Sequence, residues 1–313
     1  MTLLKEAIPA PIIVFPYNRP CHFGKTIAAL KANALSNDSD LYIYSDAPKN
    51  SAVEGEVLRV REMCRNISGF RSVTVTEREH NLGPCESFRQ GITEAFSKYD
   101  AAIIFDDDTI CSPHTLSFLN TCLTRYRLMT DVFSITAWCP PHSLFRIPET
   151  YPFDIFFMPR NGSWGWAIWK DRWDKIDWEL ADYEEFSQNK ILVKEFARYG
   201  EDLPHILKMQ YCGEIDTWDI QICYTQFKSR TVTIYPTLSY TKNIGLDGSG
   251  THFKSDTSRF ATTLLPTKKN RGSTLPRLFF CRRCHADCFS ESIRFTTILA
   301  TLHKQGSSND IWA

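Results

Sequence analysis

The run Ala101-Ala-Ile-Ile-Phe105 ends abruptly in three carboxylates, Asp106, Asp107 and Asp108, and this junction constrains the chain more than any other stretch. A short apolar run bounded by polar residues reads as a strand buried on both faces, the mark of a parallel sheet. The carboxyl end of such a strand is where open α/β sheets bind ligands. Three adjacent like charges repel, so a positive partner is expected close by. A hard divalent cation, Mg²⁺ or Mn²⁺, held by one or two of these oxygens and by a substrate diphosphate is the simplest such partner. The alternative is an acidic turn capping the next helix, because Asp108-Thr-Ile-Cys-Ser-Pro113 also looks like a helix start.

The chain before this junction alternates between two periods. Pro11-Ile-Ile-Val-Phe15 reads as a first strand and runs into a turn with two prolines, Pro16-Tyr-Asn-Arg-Pro20. Cys21 to Ala34 carries Phe23, Ile27 and Leu30 at helical spacing. Leu41 to Ser45 reads as a second strand ending in Asp46, Glu54 to Arg65 as helix, Phe70 to Val75 as a third strand, and Pro84 to Lys98 as helix. Strand and helix in alternation predict a doubly wound α/β sheet. The polar residues at its strand ends, Asn18, Asp46 and Asp106 to Asp108, would then line one crevice.

The later chain follows a different pattern. Six of the 8 tryptophans lie between Trp138 and Trp178, three of them in Trp164-Gly-Trp-Ala-Ile-Trp169. Aromatic density of this kind makes either a sugar-stacking wall or a dense core, and composition favours the core. Glu201 to Cys212 and Asp216 to Lys228 read as helices, and Val232 to Tyr235 as a last strand. Lys242 to His252 is a Gly-rich polar loop that could close over a ligand and bring His252 with it.

Composition excludes several classes of function. Lys+Arg and Asp+Glu both number 36, so no global basic field points to a nucleic-acid partner. The balance is uneven: from Lys254 onward there are 10 Lys+Arg against 4 Asp+Glu, and a basic tail offsets an acidic body. Eleven cysteines without regular spacing, in a chain of 313 residues, read as reduced thiols of a cytoplasmic protein. The first residues lack the pattern of a signal peptide, and no apolar stretch is long enough to span a membrane.

Taken in order, several motifs resemble those of the GT-A glycosyltransferases, in particular family-2-like bacterial enzymes and N-acetylglucosaminyltransferase I. They are Tyr17-Asn-Arg-Pro20, Tyr44-Ser-Asp46, Asn81-Leu-Gly83, the acidic triplet, Trp164 to Trp169, Asp216-Thr-Trp-Asp-Ile-Gln221 and Asn243 to His252. The resemblance spans about Pro11 to His252. It implies a GT-A fold with a nucleotide-sugar half over 1–130 and an acceptor half over 131–253; past His252 the resemblance fades, and 254–313 reads from its own residues as a basic helical tail. It implies that Asn18, Arg19, Asp46 and Asn81 hold the nucleotide, that Asp108 binds the metal, and that Asp106 and Asp107 lie near the ribose and the metal's waters. The triplet departs mildly from the Glu-Asp-Asp of the acetylglucosaminyltransferase. His252 resembles a late metal or diphosphate ligand. Trp164 and Trp166 would stack on the sugar, and Gly162 and Gly165 would allow close backbone approach.

The activity so implied is inverting, metal-dependent transfer from a nucleoside diphosphate sugar, by prior a UDP-sugar, to a hydroxyl of a glycan, lipid-linked or other acceptor. The context implied is cell-surface polysaccharide synthesis. The cation neutralises the leaving diphosphate, and the acceptor hydroxyl needs a general base outside the triplet. Asp216 and Asp219 are the candidates, with Glu214 a third. Two readings of other classes stand beside this one. A nucleotidyltransferase usually carries a Gly-rich loop after its first strand, where Tyr17 to Gly24 has one glycine. A non-catalytic sugar- or nucleotide-binding homologue would show no turnover. In the tail, Leu278 to Leu302 reads as an amphipathic helix. That helix would dock on the core, on a partner or on the inner face of a membrane. Its Cys281-Arg-Arg-Cys-His-Ala-Asp-Cys288 cluster makes a poor zinc cage on a single helix.

Overall fold

The computed structural model describes residues 8–248 and 260–265. The whole basic tail from residue 266, with its Cys281 to Cys288 cluster and expected helix, lies outside the described residues, as does His252. Strand β1 (Ile12–Phe15) is buried throughout. Pro16 follows it, and Pro20 opens helix α1 (Pro20–Lys31), a position where a missing N–H is harmless. Next come β2 (Asp40–Ser45) and α2 (Ser51–Arg65). Helix α2 starts at Ser51, ahead of the expected Glu54, because Asn50 caps it by accepting from the Ala52 N–H at 3.1 Å.

Strand β3 (Ser72–Glu77) starts later than the Phe70 expected. Gly69 turns the chain at φ 93° and Arg71 pairs with Asp40 on the neighbouring strand, which leaves Phe70 packed on the core rather than in the ladder. Then follow α3 (Pro84–Ala95) and β4 (Ala101–Asp106). The stretch after Asp108 does not start a helix. Thr109–Cys111 forms a short strand, β5, and α4 (Thr115–Tyr126) begins beyond it.

The second half supplies β6 (Val132–Thr136), β7 (Ile155–Met158), β8 (Trp166–Trp169) and α5 (Lys170–Trp173). It continues with α6 (Tyr183–Gln188), α7 (Lys190–Phe196), α8 (Leu203–Tyr211) and α9 (Asp219–Ser229). Strand β9 (Val232–Pro236) is not the last, because β10 (Thr241–Asn243) follows and pairs antiparallel with β5.

Eight strands form one sheet in the order β3-β2-β1-β4-β8-β6-β9-β7. Strands β1 to β4 are mutually parallel, while β8 runs antiparallel between β4 and β6. The α/β class expected from the alternation is present, with helices on both faces. Phe23, Leu30, Val60, Cys64 and Leu116 bring α1, α2 and α4 onto one face. Phe88, Ile92 and Ile222 bring α3 and α9 onto the other. Among the described residues no helix is long and apolar enough to cross a membrane.

On the α3 face a run of rings joins the two halves. Tyr44, Phe15, Phe88, Trp218 and Trp166 stack in succession, with centroids 5.7, 3.9, 4.5 and 5.3 Å apart. Trp218 sits between a ring of α3 and a ring of β8, and it carries the segment before α9 onto the sheet. Stacked pairs of this kind contribute about 0.5–1.5 kcal/mol each beyond their burial. Trp218→Ala empties the middle of the stack and should destabilise the protein by about 3–5 kcal/mol in chemical denaturation. A cost far below that range would mean the segment is held by other contacts.

Candidate active site

Strand order reverses between β1 and β4. The chain moves outward from β1 to β3 and then returns to β1's other side, so Phe15 lies opposite Asp106. A crevice opens at the carboxyl ends of two such strands, and it is the ligand position in doubly wound sheets. The β1–α1 turn brings Asn18 and Arg19 to it, and β4 brings the acidic triplet. Asn18 is half-buried in this turn.

Arg19 supplies the positive charge that the triplet requires. Its Nη2 donates to Asp107 Oδ1 at 2.5 Å and to Asp108 Oδ2 at 2.8 Å. The other oxygens are also engaged. Asp107 Oδ2 accepts from the Tyr17 N–H at 3.3 Å, and Asp108 Oδ1 accepts from Asn243 Nδ2 at 3.1 Å. Burial alone would lower the guanidinium's pKa, but Asp107 and Asp108 outweigh it and keep Arg19 charged. Asn243 comes from β10, and the turn after it lies against the pair: a Cβ on Gly245 would fall on Asp108 Oδ2 and 2.8 Å from Arg19 Nη1. His22 Nε2 and Asp247 Oδ2, 3.0 Å apart, tie the same turn to α1. Sequence reasoning flagged this loop for its glycines but did not single out Asn243, whose role depends on the β5–β10 pairing.

The triplet does not act as a block. Side chains alternate along β4, so Asp106 shares the face of Ile104 and its partner Trp166, with Asp219 acting on it electrostatically. The strand ends at Asp106, and beyond it Asp107 and Asp108 both turn to Arg19. Burial first, then Asp108 and Asp107, push Asp106 well above the usual carboxylate range. Burial pushes Asp107 up to about 6, against the pull of Arg19.

Asp46 was expected to bind a base or ribose, and here its carboxylate is used by the protein. It accepts from the Ala47 N–H at 2.9 Å, from Asn81 Nδ2 at 3.1 Å, and from the Leu82 and Gly83 N–H groups at 2.9 and 3.0 Å. Asn81 also donates to the Ala47 carbonyl at 2.7 Å. The pair therefore shapes the 81–83 turn, where Gly83 has φ 79°, and sets the start of α3.

Asp216 lies ahead of α9 rather than opening it, since the helix begins at Asp219. Its side chain serves a different helix: Asp216 Oδ1 accepts from the Cys85 N–H in the first turn of α3, at 3.3 Å. Asp216 remains exposed, and the positive end of the α3 dipole faces it. Asp219, half-buried in the first turn of α9, accepts from Thr217 Oγ1 at 2.6 Å and stands on the Asp106 side. Glu214 is exposed. Burial, with Asp216 adding to it, pushes the neighbouring Cys85 thiol up to about 12, so it is no nucleophile at neutral pH.

The tryptophan motif divides. Trp166 is fully buried, paired through β8 to β4 and stacked on Trp218, so it cannot reach a sugar. The core that composition favours is where Trp166 lies, and the sugar-stacking role that the resemblance implies does not hold for it. Trp164 is half-buried, with its ring edge-on to Trp138 and Phe260. The close approach allowed by Gly162 and Gly165 is to the protein itself. A Cβ on the first would meet Tyr235 and Thr136, and on the second Thr241 and Phe105.

The same geometry tests the divalent cation. Among the described residues no three His, Cys, Asp or Glu side chains converge as a cage. Two carboxylate oxygens nevertheless converge on one point, and Arg19 Nη2 stands there as a cation in place of a metal. Hard oxygen ligands from one or two carboxylates, completed by substrate phosphates, are what Mg²⁺ takes, so Asp107 and Asp108 fit such an ion. The expected partner His252 lies outside the described residues.

No family model matches the sequence, and no curated protein matches it. Solved structures do. The mannosyltransferase PcManGT from Pyrobaculum calidifontis, in complex with GDP-Man and Mn²⁺, matches 53% of this chain and 46% of its own at 13% identity, with a TM-score of 0.36. S. aureus TarS matches 74% of this chain and 36% of its own at 12% identity and TM-score 0.41. Its 1–349 fragment matches 74% and 59% at 11% identity and TM-score 0.42. The chain thus spans less than two-thirds of each of these structures.

The position of Asp107 sets a pH dependence. Its pKa is about 6 in the fold and about 4 in an unfolded chain, so it contributes stability that is complete below the lower value and lost as pH rises through the upper one. Wild type should therefore lose melting temperature relative to Asp107→Asn between about pH 4 and pH 6. A relative gain over that window would mean that Arg19 outweighs burial.

Proposed function

We propose that the chain is an inverting glycosyltransferase that moves a sugar from a nucleoside diphosphate sugar, in the first instance a UDP-sugar, to a hydroxyl of a glycan, lipid-linked or other acceptor. One observation carries this reading. At the β1–β4 reversal a guanidinium and two carboxylates converge, while on a separate segment Asp216 sits at the start of α3 and Asp219 acts electrostatically on Asp106. The first group suits a diphosphate and the second suits an acceptor.

Asp216 is the general base. It is exposed, belongs to a different segment from the triplet, and is held against the first turn of α3. It takes the proton of the acceptor hydroxyl as that oxygen attacks the anomeric carbon, and the diphosphate leaves with the bonding electron pair. A single base on the face opposite the leaving group gives inversion. Asp219 orders the Thr217–Asp219 turn that presents Asp216. Asp106, whose carboxyl burial pushes above the usual range, faces the sugar or ribose hydroxyls. Arg19, Asn18 and the Asn81–Gly83 turn line the nucleotide side. A divalent cation on Asp107 and Asp108 would, when bound, neutralise charge on the departing diphosphate.

The test is release of nucleoside diphosphate from UDP- and GDP-sugars by the full chain, with the anomeric configuration of the product read by proton NMR. Asp216→Asn should lower kcat by about 10²–10⁴-fold while donor binding persists. Release of inorganic pyrophosphate instead would favour a nucleotidyltransferase, and no turnover of any nucleotide sugar would leave only a binding role.

A further inference from the structure

We infer that Arg19 and the divalent cation exchange for one another at the Asp107–Asp108 pair, so that the free protein guards its metal site with its own guanidinium. The inference rests on the glycosyl-transfer reading for the identity of the ligand, though not for its test.

Arg19 Nη2 lies within hydrogen-bond distance of one oxygen from each carboxylate, 2.5 Å from Asp107 Oδ1 and 2.8 Å from Asp108 Oδ2. A cation bridging the same oxygens needs that point, and two positive charges cannot share it. The remaining oxygens are held by the Tyr17 N–H and by Asn243 Nδ2. Turning the carboxylates to offer other oxygens would break those bonds. Occupation by a metal therefore requires the guanidinium to leave.

The other end of Arg19 lies against the Gly245 turn and is not spent within the protein. Nη1 is buried and has no hydrogen-bond partner, although a buried charged donor is costly to leave unmet. A guanidinium fork matches the geometry of phosphate oxygens, and the crevice is where a diphosphate would lie. The Gly245 turn and the His22–Asp247 contact close over the pair from the α1 side. Metal arrival thus couples to donor arrival: the cation takes the carboxylates, and Arg19 becomes free for the diphosphate.

Mn²⁺ binding to the full chain without nucleotide, followed by the electron paramagnetic resonance of free Mn²⁺, tests the exchange. Arg19→Met removes the competitor and should bind Mn²⁺ alone at least tenfold more tightly than wild type. Arg19→Lys keeps a competing charge and should stay within a few-fold of wild type. If Arg19→Met does not fold, judged by circular dichroism, Arg19→Gln carries the same expectation. Wild type should bind Mn²⁺ and UDP with mutual tightening, and the neutral variants should lose it. Unchanged or weaker Mn²⁺ binding in the neutral variants overturns the exchange, as does an absence of Mn²⁺ binding in every form. Neither result touches the transfer assay, in which failure would instead remove the donor reading.

Discussion

Two carboxylates on successive residues at the end of a buried strand need a counter-charge, and the region around the crevice is arranged to provide one. At an effective dielectric constant of about 20, two like charges 4 Å apart repel by roughly 4 kcal/mol. Arg19 cancels that repulsion by holding one oxygen of each. Its position follows from the β1–α1 turn, in which Pro16 ends the strand and Pro20 begins the helix. The β5–β10 ladder then delivers Asn243 to the remaining oxygen of Asp108. Local chain stiffness, strand pairing and electrostatics converge at a single guanidinium.

Packing does for the acceptor side what charge does for the donor side. The segment before α9 has little regular structure of its own, and its placement depends on Trp218 entering the ring stack between Phe88 and Trp166. Once Trp218 is seated, Asp216 reaches the start of α3 and Asp219 faces Asp106. The start of α3 is itself fixed from the other direction, because Asp46 gathers the backbone N–H groups of Leu82 and Gly83. Two carboxylates that look alike in sequence thus serve one helix terminus in different ways. Asp46 is consumed in building the turn, while Asp216 touches that turn and stays open to solvent.

The legible parts of the chain were those whose signal is local. β1, β2 and β4 are continuous apolar runs, and α1 and α3 open with proline after a turn, so their type and order could be read directly. The three-residue strands β5 and β10 carry no such signal, because their stability comes from each other. At Trp166 composition points to the core and the resemblance points to a sugar. A tryptophan in a dense aromatic motif looks the same whether it stacks on a sugar or on another ring, and only the pairing of β8 with β4 turns it into the core.

The sequence by itself determined the α/β class, the parallel character of the first strands and the need for a positive partner beside Asp106 to Asp108. These follow from periodicity and from like-charge repulsion, which act over a few residues. Tertiary structure alone decided which charge answers that need, which carboxylates remain available and which aromatic rings are spent on the core. Arg19 and Asp108 are 89 residues apart, Asp216 and Cys85 131, and Asn243 and Asp108 135. Contacts at such separations are set by strand order and register, and no local pattern in the chain encodes them.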